Sequence, residues 1–279
     1  MDEVPLLELD RVTKRFGRVT VAEELTLSVS AHELLGIVGP NGAGKTSVFG
    51  LISGDLAPDA GRVAFDGRVV NKLDAARRCR LGIGRTYQVP RPFEQMTVFE
   101  NTLVAAYAGA GLKGGSARQL AYSVLEDTGL ERSVNTPAGQ LGLVQRKRLE
   151  LARALATRPR LLLLDEVAAG LTDPEVDELV GIVERARVAA GAAEGMAIVW
   201  VEHVVRALLS AVQRLVCLDA GSIIADGPPD AVMADPKVRE VYLGSDFILG
   251  DAPDPSADPN AAPPGASARE SAVEAEVSL

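Results

Sequence analysis

Leu34-Leu35-Gly36-Ile37-Val38 runs without a break into Gly39-Pro40-Asn41-Gly42-Ala43-Gly44-Lys45-Thr46. The first part is a continuous apolar run, the pattern of a strand buried on both faces of a parallel sheet. The second matches G-x-x-x-x-G-K-[ST], and Ser47 to Ile52 read as the helix that follows it. In that context Gly39, Gly42 and Gly44 let the backbone, with Asn41 and Ala43 between them, wrap closely round a polyphosphate. Successive N–H groups then point at its oxygens. Lys45 is placed to reach the β- and γ-phosphates, the Thr46 hydroxyl to ligate Mg²⁺, and the helix N-terminus to favour the negative charge. The loop therefore predicts an α/β protein that binds ATP with Mg²⁺.

A second apolar run, Leu161-Leu162-Leu163-Leu164, ends in Asp165-Glu166. That puts two carboxylates at the C-terminal end of a buried strand, where α/β sheets present their ligands. Asp165 is suited to hold Mg²⁺ and Glu166 to polarise an attacking water. Ala197-Ile198-Val199-Trp200-Val201 is a third buried strand, and Pro174 to about Ala190 read as a helix before it. Leu6 to Leu9 and Leu25 to Val29 alternate as strands of a partly exposed sheet. Gly61 to Phe65 turn back at Asp66-Gly67, and Arg214 to Leu218 pair with Ser222 to Ala225 across Asp219-Ala220-Gly221. From about Val89 to Thr136 the periodicity is helical, broken at Gly111–Gly115, and is read as a lobe inserted into the α/β lobe. Residues 251–279 are rich in Pro, Ala and Asp and are expected to be a disordered tail.

The chain has 38 acidic and 29 basic residues, a formal charge of −9, which argues against bulk binding to nucleic acid or anionic lipid. It has no uninterrupted apolar stretch long enough to span a bilayer, and its acidic N-terminus lacks the pattern of an export signal. Cys79 and Cys217 match no metal spacing and are expected to be reduced thiols of a cytosolic protein.

The ordered set of Phe16, the phosphate loop, Arg85-Thr86-Tyr87-Gln88, Leu141–Arg148, Leu163–Leu171 and Val201-Glu202-His203 resembles the ABC ATPases over about residues 5–245. RTYQVPRPF (85–93), MTVFEN (96–101), RLELARAL (148–155), AAGL (168–171) and VREVYLG (238–244) look like ATPases of branched-chain amino acid importers. The resemblance implies an α/β P-loop NTPase fold over residues 1–250, with a parallel core sheet, an antiparallel β subdomain and a helical subdomain at about 89–156. It implies that Phe16 stacks on adenine, that Gln88 ligands Mg²⁺ or water, and that His203 contacts the γ-phosphate. It also implies a head-to-tail dimer with a second ATPase chain, in which Gly142 and Gln145 contact the partner's nucleotide. Hydrolysis would then require the dimer, attached to transmembrane permeases on the inner face of the membrane and served by a solute-binding protein. The segment Val89–Asn101, with Phe93, Met96 and Phe99 read as exposed, is where a permease would dock.

The sequence departs from that family where its signature usually reads LSGGQ. Here Leu141-Gly142-Leu143-Val144-Gln145 removes a serine at Gly142 and puts a β-branched side chain at Val144 in place of glycine. Losing one charge-assisted hydrogen bond to the γ-phosphate costs about 1.5–3 kcal/mol. Val167 stands where proline is usual, and Thr172 where Asp or Asn often is. An asymmetric heterodimer is expected, with hydrolysis at this chain's own phosphate loop. Two other readings stay open: a regulatory nucleotide-binding subunit that barely hydrolyses, and the ATPase of a lipopolysaccharide-export system.

Overall fold

A computed structural model describes residues 4–189, 195–203 and 205–243; the expected tail at 251–279, and the last residue of the string at 238–244, lie outside them. In chain order the elements are β1 (Leu7–Phe16), β2 (Val19–Val29), β3 (Leu34–Val38), α1 (Lys45–Ser53), β4 (Ala60–Phe65), β5 (Arg68–Val69), α2 (Ala75–Leu81) and β6 (Ile83–Arg85). They continue with α3 (Val98–Ala108), α4 (Gly114–Asp127), α5 (Leu143–Leu155), β7 (Leu161–Asp165), α6 (Asp173–Ala189) and β8 (Ala197–Val201). The last are α7 (Val205–Ala211), β9 (Arg214–Asp219), β10 (Ser222–Gly227), α8 (Pro229–Ala234) and α9 (Pro236–Leu243).

The central sheet has the order β10-β9-β3-β8-β7-β6. All its pairings are parallel except β10 with β9. Every residue of β3, β7 and β8 is buried, which is why these strands read as unbroken apolar runs. A second, antiparallel sheet has the order β2-β1-β4-β5 and shows alternating burial along β1. Its inner residues, Leu7, Leu9 and Val63 among them, join one apolar core with Leu35, Ile37, Leu161 and Val199 of the central sheet.

The helices α3, α4 and α5 pack on one another. Thr97 and Glu100 start α3 with a reciprocal capping box: Thr97 Oγ1 accepts from Glu100 N–H at 3.1 Å and Glu100 Oε2 accepts from Thr97 N–H at 2.8 Å. Asn101, fully buried, accepts from Phe93 N–H at 2.8 Å and donates to Phe93 O and Thr97 O at 3.1 and 2.9 Å. It thereby fixes the loop before α3. Phe93 and Met96 are exposed as expected, but Phe99 is not. It is half-buried and its ring lies 4.5 Å from that of Tyr122 on α4, because the residue falls on the helix face turned to α4.

The helix that carries the phosphate loop is tied down at its far end by a buried cation. Arg78 of α2 donates from Nη1 to Leu51 O at 2.6 Å and Ile52 O at 3.0 Å, and from Nε to Leu73 O at 3.1 Å. A guanidinium at the C-terminus of α1 satisfies carbonyls that the helix itself leaves unpaired and complements its dipole. Arg78→Met is expected to lower stability by about 2–4 kcal/mol, read from urea or thermal unfolding, because it strands those buried carbonyls.

Candidate functional site

Five strands of the central sheet, β9, β3, β8, β7 and β6, are parallel and therefore end on the same side, and four of them carry the site. The phosphate loop follows β3, Thr86-Tyr87-Gln88 follows β6, Asp165 ends β7 with Glu166 next, and Glu202-His203 follows β8. The order β3-β8-β7-β6 sets these segments side by side.

The loop itself has the conformation its glycines allow. Gly39, Gly42 and Gly44 have φ of 153°, 84° and 104°, values that L residues with side chains rarely adopt. A Cβ on Gly44 would lie 2.4 Å from Val21 O, and on Gly39 2.2 Å from Leu218 O, so neither position admits any other residue. Gly42 differs: nothing lies within 4 Å of its would-be Cβ, so its need for glycine comes from its positive φ and not from crowding. The turn between β9 and β10 braces the loop, with Gly221 N–H donating to Ala43 O at 2.9 Å. Gly44 caps α1 with no side chain on its N-terminal N–H groups and no acidic residue in the first turn, which suits an anionic ligand. Asn41 and Thr46 are exposed at the loop.

Lys45, only 6% exposed, donates to Gly39 O at 2.6 Å and Pro40 O at 3.0 Å. Burial pulls its pKa down, while the charges of Glu166 and Asp165 oppose that shift.

Asp165 and Glu166 have different surroundings. Asp165 Oδ2 accepts from Arg85 Nη2 at 2.9 Å, and Asp165 N–H donates to Thr86 Oγ1 at 3.1 Å. Asp165 Oδ1 is buried with no partner among the described residues. Burial raises the Asp165 pKa and the Arg85 guanidinium works against that rise. The Asp165 charge is felt by Lys45 of the phosphate loop, and its orphaned carboxylate oxygen and the exposed Thr46 hydroxyl are hard oxygen donors of the kind that suit a hydrated Mg²⁺. Arg85 is itself clamped, paired with Asp55 at 2.9 Å and lying 5.7 and 5.1 Å from the ring centroids of Phe49 and Tyr87.

Glu166 stands at φ +48°, a left-handed conformation costly for a residue with a side chain. Its Oε1 is 2.8 Å from His203 Nε2, and its Oε2 accepts from Gln88 Nε2. The three residues expected to act in hydrolysis are thus brought together from the ends of β7, β8 and β6.

The other expected residues have surroundings of their own. Phe16, at the end of β1, is 50% exposed with Lys14 Nζ 5.4 Å from its ring centroid. Gly142 caps α5, and Gln145 is exposed, donating to Ser133 Oγ at 3.2 Å within the helical region. Sequence reasoning understated the change in this segment: Leu143 as well as Val144 replaces a glycine of the family pattern, and Leu143 is 52% exposed. It also passed over Arg85, Lys147 and Glu202 as individual residues. All three lay within quoted motifs, Arg85-Thr86-Tyr87-Gln88, Leu141–Arg148 and Val201-Glu202-His203, but nothing in their spacing signals what they touch.

The chain belongs to the ABC transporter family, which residues 22–169 match. Residues 222–248 match the branched-chain amino acid ATP-binding cassette transporter family. It is similar to the high-affinity branched-chain amino acid transport ATP-binding protein BraF of Pseudomonas aeruginosa, at 34% identity over 86% of this chain and 98% of that protein. It is also similar to the lipopolysaccharide export system ATP-binding protein LptB of Haemophilus influenzae, at 32% identity over 88% and 99%. Among solved structures, the ADP conformation of MJ1267, an ATP-binding cassette of an ABC transporter, superposes with a TM-score of 0.76 at 29% identity, over 87% and 100% of the two chains. The chain is therefore an ATP-binding subunit of a transporter, with ATPase activity and an α/β P-loop NTPase fold.

Proposed function

We propose that this chain powers import of branched-chain amino acids or similar small organic solutes. The observation that carries the import reading is the match of residues 222–248 to the branched-chain amino acid cassettes, together with the relative BraF. In this reading the phosphate loop grips ATP, with Lys45 on the β- and γ-phosphates. Thr46, Asp165 and Gln88 hold Mg²⁺, which supplies charge neutralisation at the phosphates. Glu166 polarises the attacking water and His203 orients it against the γ-phosphate. Both Glu166 oxygens are engaged by Gln88 and His203. Each oxygen keeps a further acceptor site, so the two contacts hold the carboxylate in place while it accepts from a water. Phe16 stacks on the adenine; its exposed ring supports that role.

The chain works head to tail with a second ATPase chain, beneath permease subunits supplied by a solute-binding protein. Among the described residues no helix is long and apolar enough to cross a membrane, consistent with a peripheral subunit on the inner face. The helical lobe, about residues 89–156, presents Phe93 and Met96 to the permease and Gly142 and Gln145 to the partner's nucleotide. With glycine lost at Leu143 and Val144, the half-site this chain lends is the weaker one.

Lipopolysaccharide export is the second reading, favoured by the relative LptB. The test is uptake of radiolabelled leucine, isoleucine and valine by cells with and without this chain. Loss of uptake, restored by the parent gene and not by Lys45→Ala, is the expected result. Unchanged uptake with a defective outer surface would overturn import in favour of export.

A further inference from the structure

The turn that carries Glu166 is gripped from both sides by buried charges with no part in the chemistry described so far. Lys147, on α5, is 5% exposed and donates to Glu166 O at 3.2 Å and Val167 O at 3.0 Å. On the other side Glu202, 2% exposed, accepts from Ala168 N–H at 2.6 Å and from Trp200 Nε1 at 3.3 Å. The turn needs such support. Glu166 holds an uncommon left-handed φ, and Val167 has no ring to fix its own. Without the ammonium, Glu166 O keeps the long bond from Ala169 N–H, at 3.3 Å, and Val167 O loses its bond to Lys147. A peptide free to rotate there would swing the Glu166 carboxylate off Gln88 and His203.

We propose that Lys147 is a positioning residue for ATP hydrolysis, holding the Glu166 peptide so that its carboxylate faces the attacking water. This rests on the reading of Glu166 as the carboxylate that polarises water. The placement has a consequence for the dimer. Lys147 lies on the helix capped by Gly142, whose start faces the partner's nucleotide in the proposed assembly. A movement of that helix on engaging the partner would reach this chain's own hydrolytic carboxylate through the Lys147 ammonium. The two half-sites that one chain contributes are linked mechanically.

A comparison in two backgrounds separates positioning from packing. The transporter complex is purified with this chain as parent, Lys147→Met, Glu166→Gln or the double variant beside an unaltered partner ATPase, and kcat, KM and the Kd for a fluorescent ATP analogue are measured. Lys147→Met is expected to lower kcat by about tenfold or more, the loss of charge-assisted bonds read as rate, with Kd changed less than about twofold. In the Glu166→Gln background the same change is expected to lower the residual rate by less than about twofold, since both act through one carboxylate. Equal fractional losses in both backgrounds, or an unchanged kcat in the parent background, would overturn the proposal. So would a loss of ATP affinity that accounts for the lost rate. Full turnover by Glu166→Gln alone would instead remove the role of Glu166. If Lys147→Met has no cooperative melt, Lys147→Gln, which keeps a donor without the charge, is read by the same criteria.

Discussion

Glu166→Gln is expected to lower ATP turnover by about 10²–10³-fold while leaving ATP bound. The amide is nearly isosteric, so the neighbouring contacts of Gln88 and His203 survive in part, and the phosphate loop is untouched. What is lost is a negative acceptor able to polarise a water. ATP then accumulates uncleaved, and a nucleotide-binding assay next to a phosphate-release assay separates the two effects. In the complete transporter the same change has a second use. If the half-site lent by this chain is the weaker, Glu166→Gln here abolishes most of the turnover, and the equivalent change in the partner ATPase costs much less. Equal losses from the two changes would mean that Gly142, Leu143 and Val144 do not impair the site they face.

The second large effect is expected for Lys45→Ala, which should weaken MgATP binding by about 10–100-fold, the worth of a charged donor to the phosphates. The ammonium is buried in a loop whose glycines leave it little freedom, with Gly39 O and Pro40 O as its present partners. It must leave these for the phosphate oxygens, and no nearby side chain replaces it there. Titration calorimetry with MgATP checks the affinity, and the unfolding curve checks that the loop carbonyls deprived of Lys45 have not unfolded the protein. Unaltered affinity in a folded variant would place the nucleotide elsewhere, and the roles of Thr46, Asp165 and Glu166 would fall with it.

Much of the fold was legible because its central strands are buried on both faces. Leu34–Val38, Leu161–Leu164 and Ala197–Val201 stand out as apolar runs for that reason alone. The short β6 did not, since Ile83-Gly84-Arg85 carries a glycine and a charge, and its strand character comes from pairing with β7. The helix α2, and α7 to α9 after the apolar strands, were also passed over, being one or two turns long with little periodicity to read. The helix after the phosphate loop begins at Lys45, two residues before the reading from sequence, because its first turn is organised by a left-handed Gly44 rather than by a capping side chain.

What the sequence determined by itself is the phosphate loop, the carboxylate pair at the end of a buried strand, and the order of motifs. These depend on local geometry: φ values only glycine tolerates, and the hydrophobicity of residues with no face toward water. Only the tertiary structure decided that Gln88, Glu166 and His203 meet, that Arg85 pairs with Asp165, and that Lys147 and Glu202 clasp the turn between them. Most of these contacts join residues far apart in the chain, and even the nearer clasp of Lys147 spans the α5–β7 connection, so the order of parallel strands and the packing of a helix against their ends bring them together. No periodicity within one segment encodes that order, because it is the outcome of burying all the strands at once.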